Sequence, residues 1–201
     1  LDDAYTGLFY DDAVLPESLF GRMAALHERV LAVKLDGATK EYFVWGFRVG
    51  FLTWAARGLD AKALAALEQK TGGAVRGSIS NDNAAAQAIL AKALKDPAID
   101  GEYRANFELL KKRALKVKAV LQGGRYDSSF TAYPFNSGYF MLIRLAKVGS
   151  EKLRLHLLEK YQTGVIATSP TDLRIAFSCV REEDIADLFE TIHKAATELA
   201  G

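Results

Sequence analysis

Runs of apolar and polar residues along the chain predict strands and helices in turn. A nearly continuous apolar run over residues 30–35 is typical of a strand buried on both faces, in a sheet covered by helices. The polar residues 36–40 predict a turn after it, and residues 47–56 predict a second strand in which glycines allow close backbone approach. Three further strand-like segments cover residues 138–145, 164–168 and 173–180.

Capping residues mark the start of two predicted helices. Asp60 suits the N-cap of a helix that ends near Lys70, because its side chain can accept a hydrogen bond from an unpaired backbone amide. Asp82 or Asn83 suits the N-cap of a helix that ends near Leu94. Both helices therefore lie in the first half of the chain.

A long helix is predicted from Gly101 to the glycine pair Gly123-Gly124, where it ends. Its apolar stripe recurs at intervals of four and three residues and consists of Tyr103, Phe107, Leu110, Ala114, Val117 and Leu121. Shorter helices are predicted over residues 18–26, 150–161 and 182–199. The alternation of strands and helices favours an α/β fold with a second, smaller α+β lobe, divided into residues 1–100 and 101–201.

Composition places the chain among soluble globular proteins. Half of its 201 residues are hydrophobic, a quarter are charged, and the formal net charge is +1, so no broad basic face for nucleic acid or an anionic membrane is expected. The local basic run at Lys111-Lys112-Arg113 is expected on the solvated face of the long helix. No apolar stretch is long enough for a membrane span and no signal peptide is visible, which predicts a cytoplasmic location.

Residues that often carry chemistry are sparse. Cys179 is the only cysteine, which excludes an intramolecular disulfide, and its apolar surroundings predict a small buried strand residue. The three histidines, His27, His156 and His193, are scattered and are expected at the surface or half-buried. The spacing of metal ligands is absent, and so are the glycine-rich phosphate motifs.

Lys40 stands just after the predicted buried strand, outside the carboxyl end where α/β proteins bind ligands. A lysine amine attacks carbonyl groups once desolvation or a nearby cation lowers its pKa. Arg48, eight residues later, would supply such a cation and could hold a phosphate. From these residues alone two interpretations stay open, a functional pair or two ordinary surface residues.

The residues around Lys40 resemble the lysine signature of the class I/II pyridoxal-phosphate-dependent aminotransferases. The matching segments are Gly37-Ala38-Thr39-Lys40 and Gly46-Phe47-Arg48-Val49-Gly50. The resemblance implies that Lys40 forms the Schiff base with pyridoxal phosphate and acts as the base that moves a proton. It also implies that Arg48 binds the phosphate of the cofactor.

Three other segments match the family in the same order. Asp2-Asp3-Ala4-Tyr5 resembles its Asp-x-Ala-Tyr, which implies Asp2 at the pyridine nitrogen and Tyr5 at the ring hydroxyl. A carboxylate there keeps the nitrogen protonated and strengthens the ring as an electron sink. The strand around Arg174 resembles the one whose arginine binds the substrate carboxylate, and residues 136–140 are typical of the family's small domain.

The resemblance covers the whole chain but only the later half of such an enzyme. It implies part of a large cofactor-binding domain with a mixed, mainly parallel sheet over residues 1–100, followed by a linking helix and a small α+β domain over residues 101–201. The family's glycine-rich phosphate loop, stacking aromatic and asparagine are missing, so we expect a segment upstream of Leu1. Intact members are usually homodimers.

Two departures from the family pattern bear on the site. Gly37 replaces a serine, so one hydroxyl contact to the phosphate is expected to be lost unless Thr39 supplies a hydroxyl instead. Gln87-Ala88 stands where members specific for acidic substrates carry an arginine, which favours a neutral or aromatic amino acid.

The resemblance predicts an enzyme that moves an amino group between an amino acid and a 2-oxo acid, with this portion alone expected to be inactive. Two alternatives stay open. The chain could be a non-catalytic folded remnant, or it could belong to a pyridoxal-phosphate lyase, because the same fold and lysine serve both reactions.

Overall fold

The computed structural model describes residues 1–11 and 14–201. The chain divides into two compact units, Leu1–Arg104 and Ala105–Gly201. The boundary falls inside a long helix, Ile99–Leu121, close to the position expected from the sequence. The assignment of these units to a cofactor-binding domain and a small domain stays a prediction.

A ribbon of three neighbouring backbone segments, two strands and residues 1–3, lies in the first unit. Strand β1 (Ala32–Gly37) pairs antiparallel with strand β2 (Gly50–Ala55), and Gly37 lies opposite Gly50. On its other side β1 lies next to residues 1–3, which run parallel to it and form a bridge between Asp2 and Leu35. The amide of Asp3 donates to the carbonyl of Leu35 at 2.9 Å. The ribbon therefore contains both an antiparallel and a parallel neighbour of β1.

The two faces of this ribbon differ in polarity. Lys34 and Asp36 form an ion pair at 2.7 Å on one face, where the ammonium group also lies 5.7 Å from the ring of Phe20. Leu35 and Leu52 lie opposite each other on the other face and are 51% and 37% exposed. The prediction of a strand buried on both faces is therefore wrong for the described chain.

In the described part of the first unit, four helices accompany the ribbon, and two of them begin as their capping residues predict. The side chain of Asp60 accepts from the amide of Ala63 at 2.8 Å, and that of Asn83 accepts from Ala86 at 3.0 Å. Asn83, not Asp82, is thus the N-cap of its helix. The helices are α1 (Phe20–Ala24), α2 (Ala38–Glu41), α3 (Ala61–Ser78) and α4 (Ala84–Ala93).

Helix α5 (Ile99–Leu121) confirms the predicted long helix, and its stripe is buried at Leu110, Ala114 and Val117. Gly123 and Gly124 follow with φ angles of +89° and +72°, a left-handed conformation that glycine adopts without strain. The prediction that the basic run lies on a solvated face is wrong for Arg113, which is half-buried and donates a hydrogen bond to the carbonyl of Ser178.

The second unit consists of an antiparallel sheet of four strands with helices α6 (Ser150–Tyr161) and α7 (Ile185–Ala200). The strands, in the order β3-β4-β6-β5 across the sheet, are β3 (Phe130–Ala132), β4 (Met141–Leu145), β5 (Ile166–Ala167) and β6 (Asp172–Ile175). Its core is fully buried and includes Phe130, Ile143, Leu153, Leu173, Phe177, Phe189 and Ile192.

Two strands have bounds that differ from those the apolar pattern predicts. Phe177–Cys179 forms a 3-10 turn after β6, and Cys179 is exposed, so the expectation of a buried strand cysteine is wrong. Residues 45–47 likewise form a 3-10 turn, and β2 begins only at Gly50. The predicted polar turn at residues 36–40 contains the end of β1 and most of α2.

Candidate active site

Lys40 and Arg48 both lie in the loop that joins β1 to β2. Because Gly37 and Gly50 are paired, the two ends of this loop meet at one end of the ribbon. Lys40 is the third residue of α2, which starts directly after β1, and its side chain is half-buried. The loop therefore places an amine and a guanidinium group at the carboxyl end of β1, where ligands of α/β proteins bind.

Asp2 and Tyr5 approach the same end of the ribbon. Asp2 bridges to Leu35, two residues before the end of β1, and residues 4–7 then form a turn. A Cβ atom built on Gly7 of this turn would lie 4.0 Å from a carboxylate oxygen of Glu41, so the turn that contains Tyr5 lies beside the helix that carries Lys40. Topology thus gathers four of the five predicted site residues, namely Asp2, Tyr5, Lys40 and Arg48.

The two neighbouring aspartates have different partners. The carboxylate of Asp3 accepts a hydrogen bond from the hydroxyl of Ser18. Asp2 is exposed, and its carboxylate accepts from the nearby amide of Ala4 at 3.2 Å. Asp3 is therefore held within the fold, and the choice of Asp2 as the ligand-facing carboxylate stays a prediction.

The loop carries backbone strain on both sides of Trp45. Phe43 and Arg48 have φ angles of 59° and 56°, a left-handed conformation that costs a residue other than glycine about 1–3 kcal/mol. Arg48 is exposed, and its guanidinium group donates to the carbonyl of Trp45 at 3.2 Å. Such strain is typical of loops whose shape serves a ligand.

An apolar cluster beneath the loop opposes this strain. It consists of the buried residues Ala38, Val49, Ala86 and Leu90, against which Tyr42, Val44 and Phe47 pack. The cluster joins the loop to helix α4, because Ala86 and Leu90 belong to that helix. The backbone around Lys40 is therefore anchored on its inner side.

Glu41 places a partly buried carboxyl group directly after Lys40. Burial raises the pKa of Glu41, the negative charge of Asp36 raises it further, and Lys34 lowers it. The environment of this carboxyl therefore favours its protonated form more than bulk water does.

Arg174 belongs to the second unit, so it is described apart from the other four. It lies in β6, opposite Leu142 of β4 and Ile166 of β5. Its guanidinium carbon lies 4.7 Å from the ring centre of Phe140. Its Nε atom is buried and has no hydrogen-bond partner within residues 1–11 and 14–201. A stacked guanidinium group with an unused donor is suited to bind a carboxylate.

Residues 136–140, directly before β4, contain a turn that requires a glycine. Gly138 has a φ angle of +74°, which favours glycine, and it is followed by the buried Tyr139. The carbonyl of Tyr139 accepts from the amide of Ser178 at 3.3 Å. Residues 136–140 thus support the turn after β6 and present Phe140 to Arg174.

The histidines are exposed or half-buried, as the sequence predicts, and each has a structural partner. His156 lies 2.9 Å from the carboxylate of Glu198, and His193 lies 2.8 Å from the hydroxyl of Ser129. His27 is exposed and accepts from a backbone amide. Among the residues that the structure describes, no cluster of histidine, cysteine or acidic side chains could hold a metal ion.

Glu198 is the centre of a polar cluster that links α6 to α7. Its carboxylate also accepts from Lys160 and from the hydroxyl of Tyr161, both at 2.8 Å. Hydrogen bonds from Lys160, His156 and Tyr161 lower the pKa of Glu198 to about 2. The cluster is a clamp between two helices of the second unit.

Tyr103 and Gly7 contribute to the site region without any signal in the family motifs. The hydroxyl of Tyr103 donates to the carbonyl of Gly7 at 3.1 Å, across 96 residues of sequence. Sequence periodicity assigns Tyr103 only to the stripe of the long helix. The sequence signal that could have indicated this close backbone approach is the glycine at position 7.

The sequence profile of aminotransferase class I and II matches residues 1–192 of the chain. The chain belongs to this aminotransferase family. A comparison with curated protein sequences finds no significant match.

Solved aminotransferase structures share the fold of the chain. LysN, an alpha-aminoadipate aminotransferase from Thermus thermophilus solved with N-(5'-phosphopyridoxyl)-L-leucine, matches with a TM-score of 0.76 and 21% identity over 98% of this chain and 49% of its own. The kynurenine aminotransferase of Pyrococcus horikoshii matches with a TM-score of 0.77 and 16% identity over 100% of this chain and 48% of its own. An aminotransferase from Anaerococcus prevotii matches at 0.75 and 22% over 96% and 45%.

These matches confirm the predicted fold class, part of an aminotransferase fold. The chain spans about half the length of the solved structures that it matches. The named strand pairs are antiparallel, and the bridge between Asp2 and Leu35 is parallel. None of the helices in the described part of the chain is both long and apolar enough to cross a membrane.

Proposed function

We propose that this chain forms the lysine-bearing half of a pyridoxal-phosphate-dependent aminotransferase, with Lys40 as its catalytic residue. The observation that supports it is the convergence of Asp2, Tyr5, Lys40 and Arg48 at one end of the ribbon. The proposed reaction moves an amino group from an amino acid to a 2-oxo acid. The cytoplasm as location and a homodimer as the intact assembly stay predictions from the sequence.

The residues present suit pyridoxal phosphate. The donor set contains an amine, a carboxylate, a phenol and a guanidinium group, which match the aldehyde, the ring nitrogen, the ring hydroxyl and the phosphate of that cofactor. Arg48 is exposed in the loop, so its guanidinium group is accessible to a phosphate. Gly37 leaves the phosphate without a hydroxyl at that position.

When bound, pyridoxal phosphate supplies a ring that accepts the electrons left when the Cα–H bond of an amino acid breaks. Lys40 would hold the aldehyde of the cofactor, and we assign to its Nζ atom the movement of that proton. Asp2 would hold a proton on the ring nitrogen of the cofactor, and Tyr5 would donate a hydrogen bond to its ring oxygen. For the carboxylate of the substrate we propose Arg174 as the ligand, on the resemblance of its strand to that of the family.

The isolated chain is expected to bind the cofactor weakly and to show no turnover, because matching enzymes use about twice its length. The test is reduction with borohydride after incubation with pyridoxal phosphate, followed by peptide mass spectrometry. We expect the phosphopyridoxyl group on Lys40 in preference to other lysines, and Lys40→Arg should remove the associated visible absorption. Labelling spread evenly over surface lysines would instead favour a non-catalytic remnant.

A lyase of the same fold is the second candidate. Product analysis of the assembled enzyme separates the two reactions. A 2-oxo acid together with aminated cofactor indicates transfer, whereas pyruvate and ammonia indicate a lyase. The substitution of Gln87-Ala88 for an arginine favours a neutral or aromatic amino acid as the substrate.

A further inference from the structure

Tyr103, in the first turns of α5, contacts two segments that are far apart in the sequence. Its hydroxyl donates to the carbonyl of Gly7 at 3.1 Å. Its ring centre lies 6.1 Å from that of Tyr42 and 5.9 Å from that of Phe43, with interplanar angles of 54° and 46°. One side chain therefore touches the residues that follow Tyr5 and the residues that follow Lys40.

The contact with Gly7 is closer than another residue type would allow. Gly7 has a φ angle of +83°, and a Cβ atom built on it would lie 2.7 Å from the hydroxyl oxygen of Tyr103. The same Cβ atom would lie 4.0 Å from a carboxylate oxygen of Glu41. The backbone at Gly7 is thus packed against two side chains that belong to, or contact, the segment of Lys40.

Tyr103 is also suited to stay a donor. Burial raises the pKa of its phenol, and the charges of Glu41 and Tyr42 raise it further. The hydroxyl therefore keeps its proton through the neutral range, and the bond to Gly7 persists there.

We infer that Tyr103 is a positioning residue, which fixes the segment of Asp2 and Tyr5 relative to the segment of Lys40. This inference rests on the proposed function for its consequence, since those segments carry the proposed ligands of the cofactor. The bridge between Asp2 and Leu35 holds the start of the first segment beside β1, and Tyr103 adds a hydrogen bond at Gly7 and ring contacts at Tyr42 and Phe43, beyond the end of that strand. A change at Tyr103 should loosen both segments together.

The test compares Tyr103→Phe with the unaltered chain by hydrogen exchange. The variant keeps the ring and removes only the hydroxyl that donates to Gly7. Amides that report the two segments are those of Leu8, bonded to Tyr5, and Tyr42, bonded to Ala38. We expect both to exchange about two- to tenfold faster in the variant, the range expected for one lost hydrogen bond.

Matched controls exclude a general loss of stability. Tyr133→Phe removes a hydroxyl that donates to Asp172 at 3.1 Å in the other unit, and it should leave both segments unchanged. The amide of Ala63 at the start of α3 should exchange equally in every variant. Faster exchange in only one of the two segments, or in neither, overturns the coupling by Tyr103.

A second measurement links the coupling to the cofactor. Borohydride trapping should give a lower ratio of Lys40 to Lys34 labelling in Tyr103→Phe than in the unaltered chain, whereas a variant altered only in general stability keeps that ratio. An unchanged ratio overturns the positioning role. If the unaltered chain shows no preference for Lys40, the proposed function fails, and hydrogen exchange still decides whether Tyr103 couples the segments.

Discussion

Phe189 in α7 offers a direct test of how the unit Ala105–Gly201 is packed. Its side chain is completely buried, and its ring centre lies 6.2 Å from that of Phe130. Replacing a buried phenylalanine by alanine removes apolar contacts and leaves a cavity, at a cost of about 3–5 kcal/mol. In a domain of about 100 residues each kcal/mol lowers the Tm by about 4–8 °C, so Phe189→Ala should lower it by about 12–40 °C.

Scanning calorimetry measures the Tm, and hydrogen exchange at the amides of β4 assigns the lost stability to this unit. Phe189→Leu retains much of the apolar volume and should give a smaller decrease. Leu158→Ala in α6 is the matched control, because Leu158 is 48% exposed and its loss should change the stability by less than about 0.5 kcal/mol. Equal shifts for Phe189→Ala and Leu158→Ala would refute the assigned burial of Phe189.

Three further predictions concern the ends and links of helices. The pKa of Glu198 is lowered from 4.5 to about 2, so its carboxylate stabilises the fold fully above pH 4.5 and loses this effect as the pH falls towards 2. The Tm of Glu198→Gln should therefore depend less on pH across that interval than the Tm of the unaltered chain. Parallel curves of Tm against pH for the two proteins would contradict this. Asp60→Ala removes the cap of α3 and should cost about 1 kcal/mol, seen as faster exchange at Ala63, which Asp60→Asn should largely prevent. Gly124→Ala places a Cβ atom 2.7 Å from the carboxylate of Asp127, a flexible group that can move. The φ angle of +72° should still lower the free energy of unfolding, measured with denaturant, by about 1–2 kcal/mol. Unchanged stability would show that the turn is not left-handed.

Local signals in the sequence predict where helices begin, whereas the predicted end of α3 near Lys70 is wrong, because the helix continues to Ser78. The N-caps at Asp60 and Asn83 and the bounds of α6 at residues 150–161 are confirmed, because capping and apolar spacing act within a few residues. The apolar run up to Val180 misled the prediction of β6, since a 3-10 turn buries Phe177 as well as a strand would.

Features set by distant parts of the chain escaped prediction. The exposure of Leu35 depends on what lies over the ribbon, which the sequence of β1 does not contain. The residues Lys40 and Arg48 were found through a family motif, whereas the contact of Tyr103 with Gly7 joins positions 96 residues apart and has no motif. The left-handed backbone at Phe43 is equally invisible, because the residue type disfavours it.

Strand β2 has a consequence for the handling of this protein in solution. Its sequence, Gly-Phe-Leu-Thr-Trp-Ala, contains neither a charge nor a proline, and its outer edge pairs with no strand in the described parts of the chain. Natural proteins usually guard such edges with lysine, proline or a bulge, because an unguarded edge recruits strands from other molecules. The solubility of the chain at high concentration therefore depends on whether another polypeptide covers this edge, and a single lysine at Thr53 would serve as the missing guard.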